Sequence, residues 1–579
     1  MLKNNILLFC FLMAFDICTS AQTTYLPLNT EDDQLLDRLE TRSGRLSDSL
    51  HLTVKPEMRS RAVDFLLYQS ATNHYTTTID AYNIGQMVSE NGEWTADGNG
   101  AIDSKRPWFN SFYKKQADII YVKTNNFFLV INPVISAEGI YEKSDPASPI
   151  SNPLITNSHG AEARGWIFKK IGFYTNFTDN QEMPVLSVNN YINGTAHQAI
   201  PGADFYTSSK LGHYDYLQAS GYFDFAVIKD HLNVTFGSGK NFIGDGIESL
   251  FISDFSSNTP FLRLSTRIWK LNYEVLYLEL TPQFNELLVS QLNYQLPHKY
   301  GTMHHLSYNA TSWLNVGFFE SSMFAKPNTF EISYLNPMIF YKAVERFNGN
   351  PDKEIIGFNF KALAAKHLQF YGQFILNEFK SSDFFSTNGW FGNKWGLQLG
   401  GKYFDAFTVK NLDLQAELNM VRPYTYTAHD DTIANYTNYN QALADPLGAG
   451  FIEFLGIARY QAVKNLYLSM KGLYYIQGLD TGSANLGNNI FNPYVSRAYD
   501  YGVKMINGPR ANCALINLNI SYRLCPGLFI DLGATHRRYI DESGLIGTST
   551  TGIVTGNSSS TYMYFGIRLN TARRDYDFY

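Results

Sequence analysis

The chain has 579 residues, 45% of them hydrophobic and 15% aromatic, with 39 Tyr, 42 Phe and a net charge of −6. So mild an acidic balance gives no support to nucleic-acid binding. After the N-terminal run no stretch reaches the roughly 18 apolar residues of a membrane-spanning helix, which leaves a soluble secreted protein or a β-barrel.

Residues 1–21 read as a secretory signal peptide. Lys3 gives the positive start, Ile6–Phe15 the apolar run, and Thr19-Ser20-Ala21 the small residues ahead of a cut before Gln22. Asp16 is unusual in such a run. Cys18 suggests a lipoprotein cut, but Ile17 stands where a small residue is wanted. Residues 22–112 follow with helical rather than alternating periodicity. Asn29-Thr30 caps a helix over Glu31–Thr41 with Leu35, Leu36 and Leu39 on one side. Pro56 opens a second helix reaching Tyr68 through Met58, Ala62, Phe65 and Leu66, and Thr77–Ser89 is a third. This helical domain stands alone in the periplasm or sits in the mouth of a barrel; the periodicity does not choose.

From residue 113 to 579 the pattern alternates. Strands begin at Ile119–Val122 and Phe127–Val134, and a charged hairpin joins Arg164–Phe168 to Ile171–Phe177 about Lys169-Lys170. The clearest strands come later. In His367–Leu376, Leu368, Phe370, Gly372, Phe374 and Leu376 share one face, and His367, Gln369, Tyr371 and Gln373 the other. Leu412–Met420 repeats this, with Asp413, Gln415, Glu417 and Asn419 on its wet face. Four hairpins turn tightly, at Leu363–Lys366, Lys410-Asn411, Val463–Asn465 and Cys525-Pro526-Gly527, while Lys380–Lys394, Arg422–Gly448, Gly478–Asn512 and Arg537–Ser560 are long and polar. Three outgoing strands open on an echo, Lys366-His367-Leu368, Lys410-Asn411-Leu412 and Lys464-Asn465-Leu466. Strands of about ten residues, dry on one face, with short turns at one end and long loops at the other, predict an all-β antiparallel outer-membrane barrel of about 16–18 strands. Alternation alone would also suit a β-sandwich; strand length, loop asymmetry and export favour the barrel. Tyr403, Phe404, Phe407, Tyr424, Tyr474 and Tyr475 are expected in aromatic girdles near strand ends. Cys513 and Cys525, twelve residues apart on one strand, lie ~40 Å from each other and cannot pair.

The chain resembles the Bacteroidetes outer-membrane proteins of the gliding motility RemB family, relatives of the Wzi capsule-assembly barrel. The resemblance runs almost end to end: Tyr25-Leu26-Pro27-Leu28, Leu35–Glu40, Ser43-Gly44, Pro56 with Arg59–Arg61, Asn91–Trp94, Asn132-Pro133, Arg164-Gly165, Gly172–Tyr174 and Asn180-Gln181. Its most specific block is Gly237–Asp254; Leu335-Asn336-Pro337, Glu345, Pro351-Asp352, Gly357 and Tyr576-Asp577-Phe578 complete it. The chain departs from the family pattern at Ile247-Glu248, where Tyr-Arg is expected, at Ser220, where Arg is expected, and in its extra Tyr579. The resemblance implies a large closed barrel with helices near its periplasmic end. It also implies a surface role in gliding or in holding exopolysaccharide, without catalytic activity.

Several motifs invite chemistry. Gly237-Ser238-Gly239-Lys240 is no P-loop, because Asn241 follows the Lys and Thr235 precedes it by five. Gly244-Asp245-Gly246 reads as a tight turn needing positive φ. Asp245, Glu248 and Asp254 read as carboxylates that fix a plug or lumen segment, with a cation site as the sharper alternative. His304 and His305 point to opposite faces of any strand and suit a plain strand end better than a metal; no zinc-type spacing occurs. No G-x-S-x-G supports a hydrolase. Tyr424, Tyr426, Tyr436 and Tyr439, set among Asn435, Asn438, Asn440, Asp430 and Asp431, are the candidate glycan-binding residues, their rings for sugar C–H faces and the amides and acids for hydroxyls; an ordinary Tyr/Asn-rich surface loop has the same composition. The expected function is a non-enzymatic, cofactor-free, monomeric barrel of the bacterial outer membrane, inserted by the outer-membrane assembly machinery. It would attach or assemble capsule or exopolysaccharide and support gliding. The alternative is a porin or transporter for a small solute.

Overall fold

The computed structural model describes residues 23–575 except 75–76, 110, 195–198, 209–211, 285–295, 325–333, 335, 337–352, 379, 385, 387, 430–433, 483, 543–546 and 555. The segment read as a signal peptide, Leu335, Pro337, Glu345, Pro351-Asp352, Asp430, Asp431 and Tyr576–Tyr579 lie outside the described residues. Eighteen strands form a closed barrel. They are β1 Phe127–Asp145, β2 Leu154–Ile167, β3 Ile171–Glu182, β4 Tyr214–Ile228, β5 Leu232–Gly239, β6 Thr259–Ile268, β7 Leu271–Leu280, β8 Lys299–Asn309 and β9 Leu314–Phe324. Then follow β10 Lys353–Ala364, β11 Leu368–Glu378, β12 Lys394–Tyr403, β13 Leu412–Val421, β14 Phe451–Val463, β15 Leu466–Gly478, β16 Arg510–Cys525, β17 Leu528–Asp541 and β18 Ser558–Leu569. Each pairs antiparallel with its neighbours in sequence, and β18 closes on β1 with Leu569 opposite Ile135. Closure leaves no unpaired edge, which is what lets strands cross hydrocarbon.

Eight connections at one end are turns, the shortest of two residues, 269–270, 464–465 and 526–527; those at the other end run to 31 residues, as in 479–509. The facing follows the alternation. Phe358, Phe370, Leu399, Phe454, Leu518, Leu532 and Phe565 are exposed on the outer wall, while Gln369, Gln373, Gln398, Asn419 and Glu453 are buried inside. One stretch of the outer wall departs from this. On β8 and β9 the outward positions Thr302, His304, Glu320 and Ser322 are buried, His304 beside the Tyr273 ring at 5.7 Å, and Tyr334 stacks on Phe324 at 4.4 Å. His304 and His305 stand mid-strand rather than at a strand end. Of the expected girdle, Phe407 and Tyr474 are exposed, but Phe404, Tyr424 and Tyr475 are buried because they fall on inward positions or in a returning loop. Cys513 and Cys525 are both free on β16.

The helical segment comprises α1 Glu31–Ser43, α2 Arg59–Ala71 and α3 Thr78–Glu90. Leu35, Leu36, Leu39, Phe65, Leu66, Ile84 and Met87 form its small core. In α1, Glu31, Asp32 and Asp33 fall in the first turn, where the helix dipole favours acids. The Thr30 hydroxyl makes no cap, bonding instead to the Pro27 carbonyl. In α3, Thr77 and Asp80 make a reciprocal capping box.

Candidate functional site

The lumen is filled in three layers. At the turn end, α1–α3 sit in the mouth. The Arg38 guanidinium is buried among Asp80 at 2.8 Å, Asp405 at 2.6 Å and Asp413 at 2.6 Å. Asp37 pairs with Lys402, and Glu40 with Lys361 at 2.8 Å. The helical segment touches the turns themselves: Tyr82 donates to Asn465, Leu46 to the Ser312 carbonyl and Arg61 to the Asp230 carbonyl. Burial pushes the Asp37 carboxyl up, but the ammoniums of Lys402 and Lys361 outweigh it and hold it below the usual carboxylate range. Burial likewise opposes the charge on Arg38, yet Asp413, Asp80 and Asp405 raise it further above its ordinary value. These are fixed ions, so the helices are clamped rather than loosely placed.

At the loop end the connections turn inward and form a dry core. Val188 and Tyr191 lie on a helix of the β3–β4 connection, α4 Leu186–Asn193. They join Leu250, Phe251, Tyr436, Leu447 and Phe491 against inward wall residues such as Leu278, Phe319, Ile355 and Ile375. Phe251 stacks on Phe319 with centroids 4.4 Å apart. The four candidate tyrosines belong to this layer, which corrects the reading of an exposed aromatic loop. Tyr424, Tyr426 and Tyr436 are almost wholly buried and Tyr439 nearly so. Tyr424 donates to the Asn485 carbonyl, Tyr426 to that of Leu250 and Tyr436 to that of Phe251. Tyr426 and Tyr436 stack on each other at 5.4 Å, so their faces are spent on packing.

The Gly237–Asp254 block links the two plugs through the lumen. Ile243 and Phe242 pair antiparallel with Val54 and Lys55, and Gly244 donates to the Thr53 carbonyl. Asp245 accepts from Thr53 and pairs with Lys361 at 3.2 Å. The Glu417 carboxylate on β13 accepts from the amides of Ile247 at 2.7 Å and Glu248 at 3.1 Å. Gly244 and Gly246 do not have positive φ, which corrects the turn argument. Gly246 is required instead because a Cβ there would strike the Glu417 carboxylate and the Gln398 amide. Nor do the three acids converge on one ion. Asp245 is held by Lys361, Asp254 accepts from Asn29, and Glu248 lies with Asp445, Glu453 and Lys471. Among the described residues no group of three or more metal-type ligands occurs.

Between the plugs lies a cavity of about 840 Å³. It runs from the turn-end rim at Gln461, Tyr467 and Arg523 to the underside of the loop plug at Pro201, Phe255 and Pro446. On β1–β4 and β15–β16 its wall carries a run of neutral polar groups, Ser136, Thr156, Ser158, Asn176, Thr178, Gln218, Ser220, Ser469, Asn517 and Asn519, with Tyr174 and Tyr222 stacked at 5.3 Å. Charged side chains of both signs line it too, among them Glu162, Lys240, Glu248, Asp254, Arg263, Arg459 and Lys471. Arg573 and Arg574, on the segment that follows β18 back into the lumen, pair with Asp575 at 2.6 Å and Glu182 at 3.0 Å. Arg568 spans Glu31 at 2.7 Å and Asp531 at 2.8 Å. Asp32, on the first turn of α1, is pushed up to about 7 by burial and then by Glu90. None of these wall residues stood out in the sequence as a site. Those on strands simply hold inward positions, and only the two plugs make that stretch of wall a chamber.

A barrel of this strand number, closed and with its helices in the turn-end mouth, decides the architecture. The fold is that of an outer-membrane β-barrel. No family profile and no curated protein matches the sequence. Among solved structures the chain is similar to Wzi of Escherichia coli, described as an outer-membrane protein involved in group 1 capsule assembly and a carbohydrate-binding β-barrel. The TM-score is 0.54 at 13% identity, over 96% of this chain and 100% of Wzi. Pseudomonas aeruginosa OprD aligns over 76% of the chain and 95% of its own length, at TM-score 0.39 and 11% identity. Pseudomonas aeruginosa OpdK, solved with vanillate, gives 0.41 and 7% over 76% and 98%. The likeness to Wzi establishes a shared fold, and the gliding side of the sequence resemblance has no counterpart in these comparisons.

Proposed function

We propose that this chain is a non-enzymatic carbohydrate-holding barrel of the outer membrane, and that the lumen cavity takes a short, mainly neutral glycan segment. The observation that carries the reading is the wall itself. Amides and hydroxyls from β1–β4 and β15–β16 can pair with sugar hydroxyls in both senses. The volume of about 840 Å³ falls in the range of small-molecule sites. Wzi, whose fold this chain shares, is itself described as carbohydrate-binding. Held glycan would attach capsule or exopolysaccharide to the cell, and a part in gliding would follow from that attachment. A diffusion channel is less favoured, because a water path would have to cross the dry core at the loop end.

The test is titration calorimetry of the detergent-folded chain with neutral and acidic oligosaccharides. Asn176→Trp fills part of the cavity from a half-buried wall position. Neutral oligosaccharide should bind the wild type and bind this variant at least about tenfold more weakly, with heat-modifiable gel mobility retained. Binding unchanged by Asn176→Trp would put the glycan elsewhere, and no binding by the wild type would end the reading.

A further inference from the structure

The eight turns carry seven lysines, Lys169, Lys170, Lys229, Lys270, Lys366, Lys410 and Lys464, against two aspartates, Asp230 and Asp405. Asp405 is turned inward onto Arg38. The connections at the opposite end carry nine Lys and Arg against fifteen Asp and Glu. The basic excess is therefore a property of one rim. The lysines also share a level. Lys170, Lys270 and the lysines of the Lys-X-Leu echo stand within two residues of the outgoing strand, and Lys169, Lys229, Lys366, Lys410 and Lys464 are exposed. Large apolar side chains stand beside them on the outside: Phe168, Trp269 and Phe407 are 65%, 67% and 70% exposed, and Trp313 stands in a turn without lysine. Lys270 lies over the Trp269 ring at 5.6 Å. The segment before β1 adds to the same rim. Ile120–Lys123 pairs with the turn-end part of β1, and just ahead of it Trp108 and Phe109 are exposed beside Lys105, Arg106 and Lys114.

We infer that this rim binds anionic phospholipid headgroups of the leaflet at the turn end, the periplasmic one. Indole and phenyl rings facing outward at a strand end match the level where acyl chains meet headgroups. Ammoniums on flexible stems at that level can reach phosphate; Lys464, over the Tyr82 ring at 5.4 Å, and Lys366, against Gly44, border the helical plug. A soluble acidic polymer would account for the charge but not for outward apolar rings interleaved with it at one height. Phosphate-bearing lipid accounts for both, and the ring would fix the depth and tilt of the barrel.

The experiment offers the detergent-folded full chain equimolar phosphatidylglycerol and phosphatidylcholine of the same acyl length and reads the retained lipids by native mass spectrometry. The wild type should retain the anionic lipid at least about threefold over the zwitterionic one. That preference should fall to about one when the seven lysines are replaced by Gln, with heat-modifiable mobility retained. Should that variant fail to fold, the wild type alone decides it: in ~1 M salt, where charges are screened beyond ~3 Å, the preference should vanish. A wild-type ratio near one, a preference that survives the substitutions or the salt, or binding of soluble dextran sulfate without any lipid preference each overturns the inference.

Discussion

Arg38→Met tests how the helical plug is held. The guanidinium it removes is 5% exposed and sits within 2.8 Å of three carboxylates, Asp80 on the capping box of α3, Asp405 in the β12–β13 turn and Asp413 on β13. Methionine preserves most of the volume, so the loss is electrostatic. Breaking a buried pair by removing one partner costs about 3–5 kcal/mol, and here three acids lose a common partner. The wall strands keep their ladder hydrogen bonds, so the penalty falls on docking of residues 23–94. At about 1.4 kcal/mol per tenfold, opening of the plug should rise by roughly a hundredfold to a few thousandfold. Hydrogen exchange read by mass spectrometry should then show α1 and α3 exchanging faster by about that factor, with β10–β18 unchanged. Wild-type protection of α1 in Arg38→Met would refute the clamp, and equal acceleration in the strands would show that the residue supports the whole barrel.

Other expectations follow from the facing and from the buried acids. Leu518→Arg puts a charge mid-strand on the outer wall and should cost about 2–4 kcal/mol in a vesicle-folding assay, whereas Asn176→Arg, facing the lumen opposite Glu162, should cost under about 1. Glu57 is buried with neither carboxylate oxygen hydrogen-bonded, and burial, then Asp33, pushes it up to about 8. A raised acid favours the folded state most below its unfolded value of 4.5 and loses that contribution as pH rises through about 8. The denaturation midpoint of the plug should therefore fall over that window, and Glu57→Gln should flatten the fall; a variant with the wild-type slope counts against it. Gly246→Ala should weaken the lumen segment by displacing Glu417 and Gln398, seen as faster exchange at residues 243–251; unchanged exchange would show that the contact yields.

The wall was legible because each strand states its own facing. Leu412–Met420 and His367–Leu376 alternate cleanly, and β13 spans Leu412–Val421 and β11 Leu368–Glu378. The helices were legible from Leu35, Leu36 and Leu39 at helical spacing. The plugs were not. A Tyr/Asn-rich loop has the same composition whether it faces water or folds inward, since Tyr426 and Tyr436 satisfy their hydroxyls equally well with water or with backbone carbonyls. One signal was available. Ile355 and Ile375 occupy the same inward face as Asn359 and Gln373, so that face turns apolar toward the loop end, as a dry lumen requires. The cavity had no signal of its own, because it is a gap between two plugs whose position no single strand records.

Single-channel recording of the full chain in planar bilayers tests the central claim, a lumen sealed at its loop end. The wild type should leave the membrane silent, with ohmic steps only when residues 425–447 are removed from the loop plug. Open steps of porin size in the wild type would contradict it.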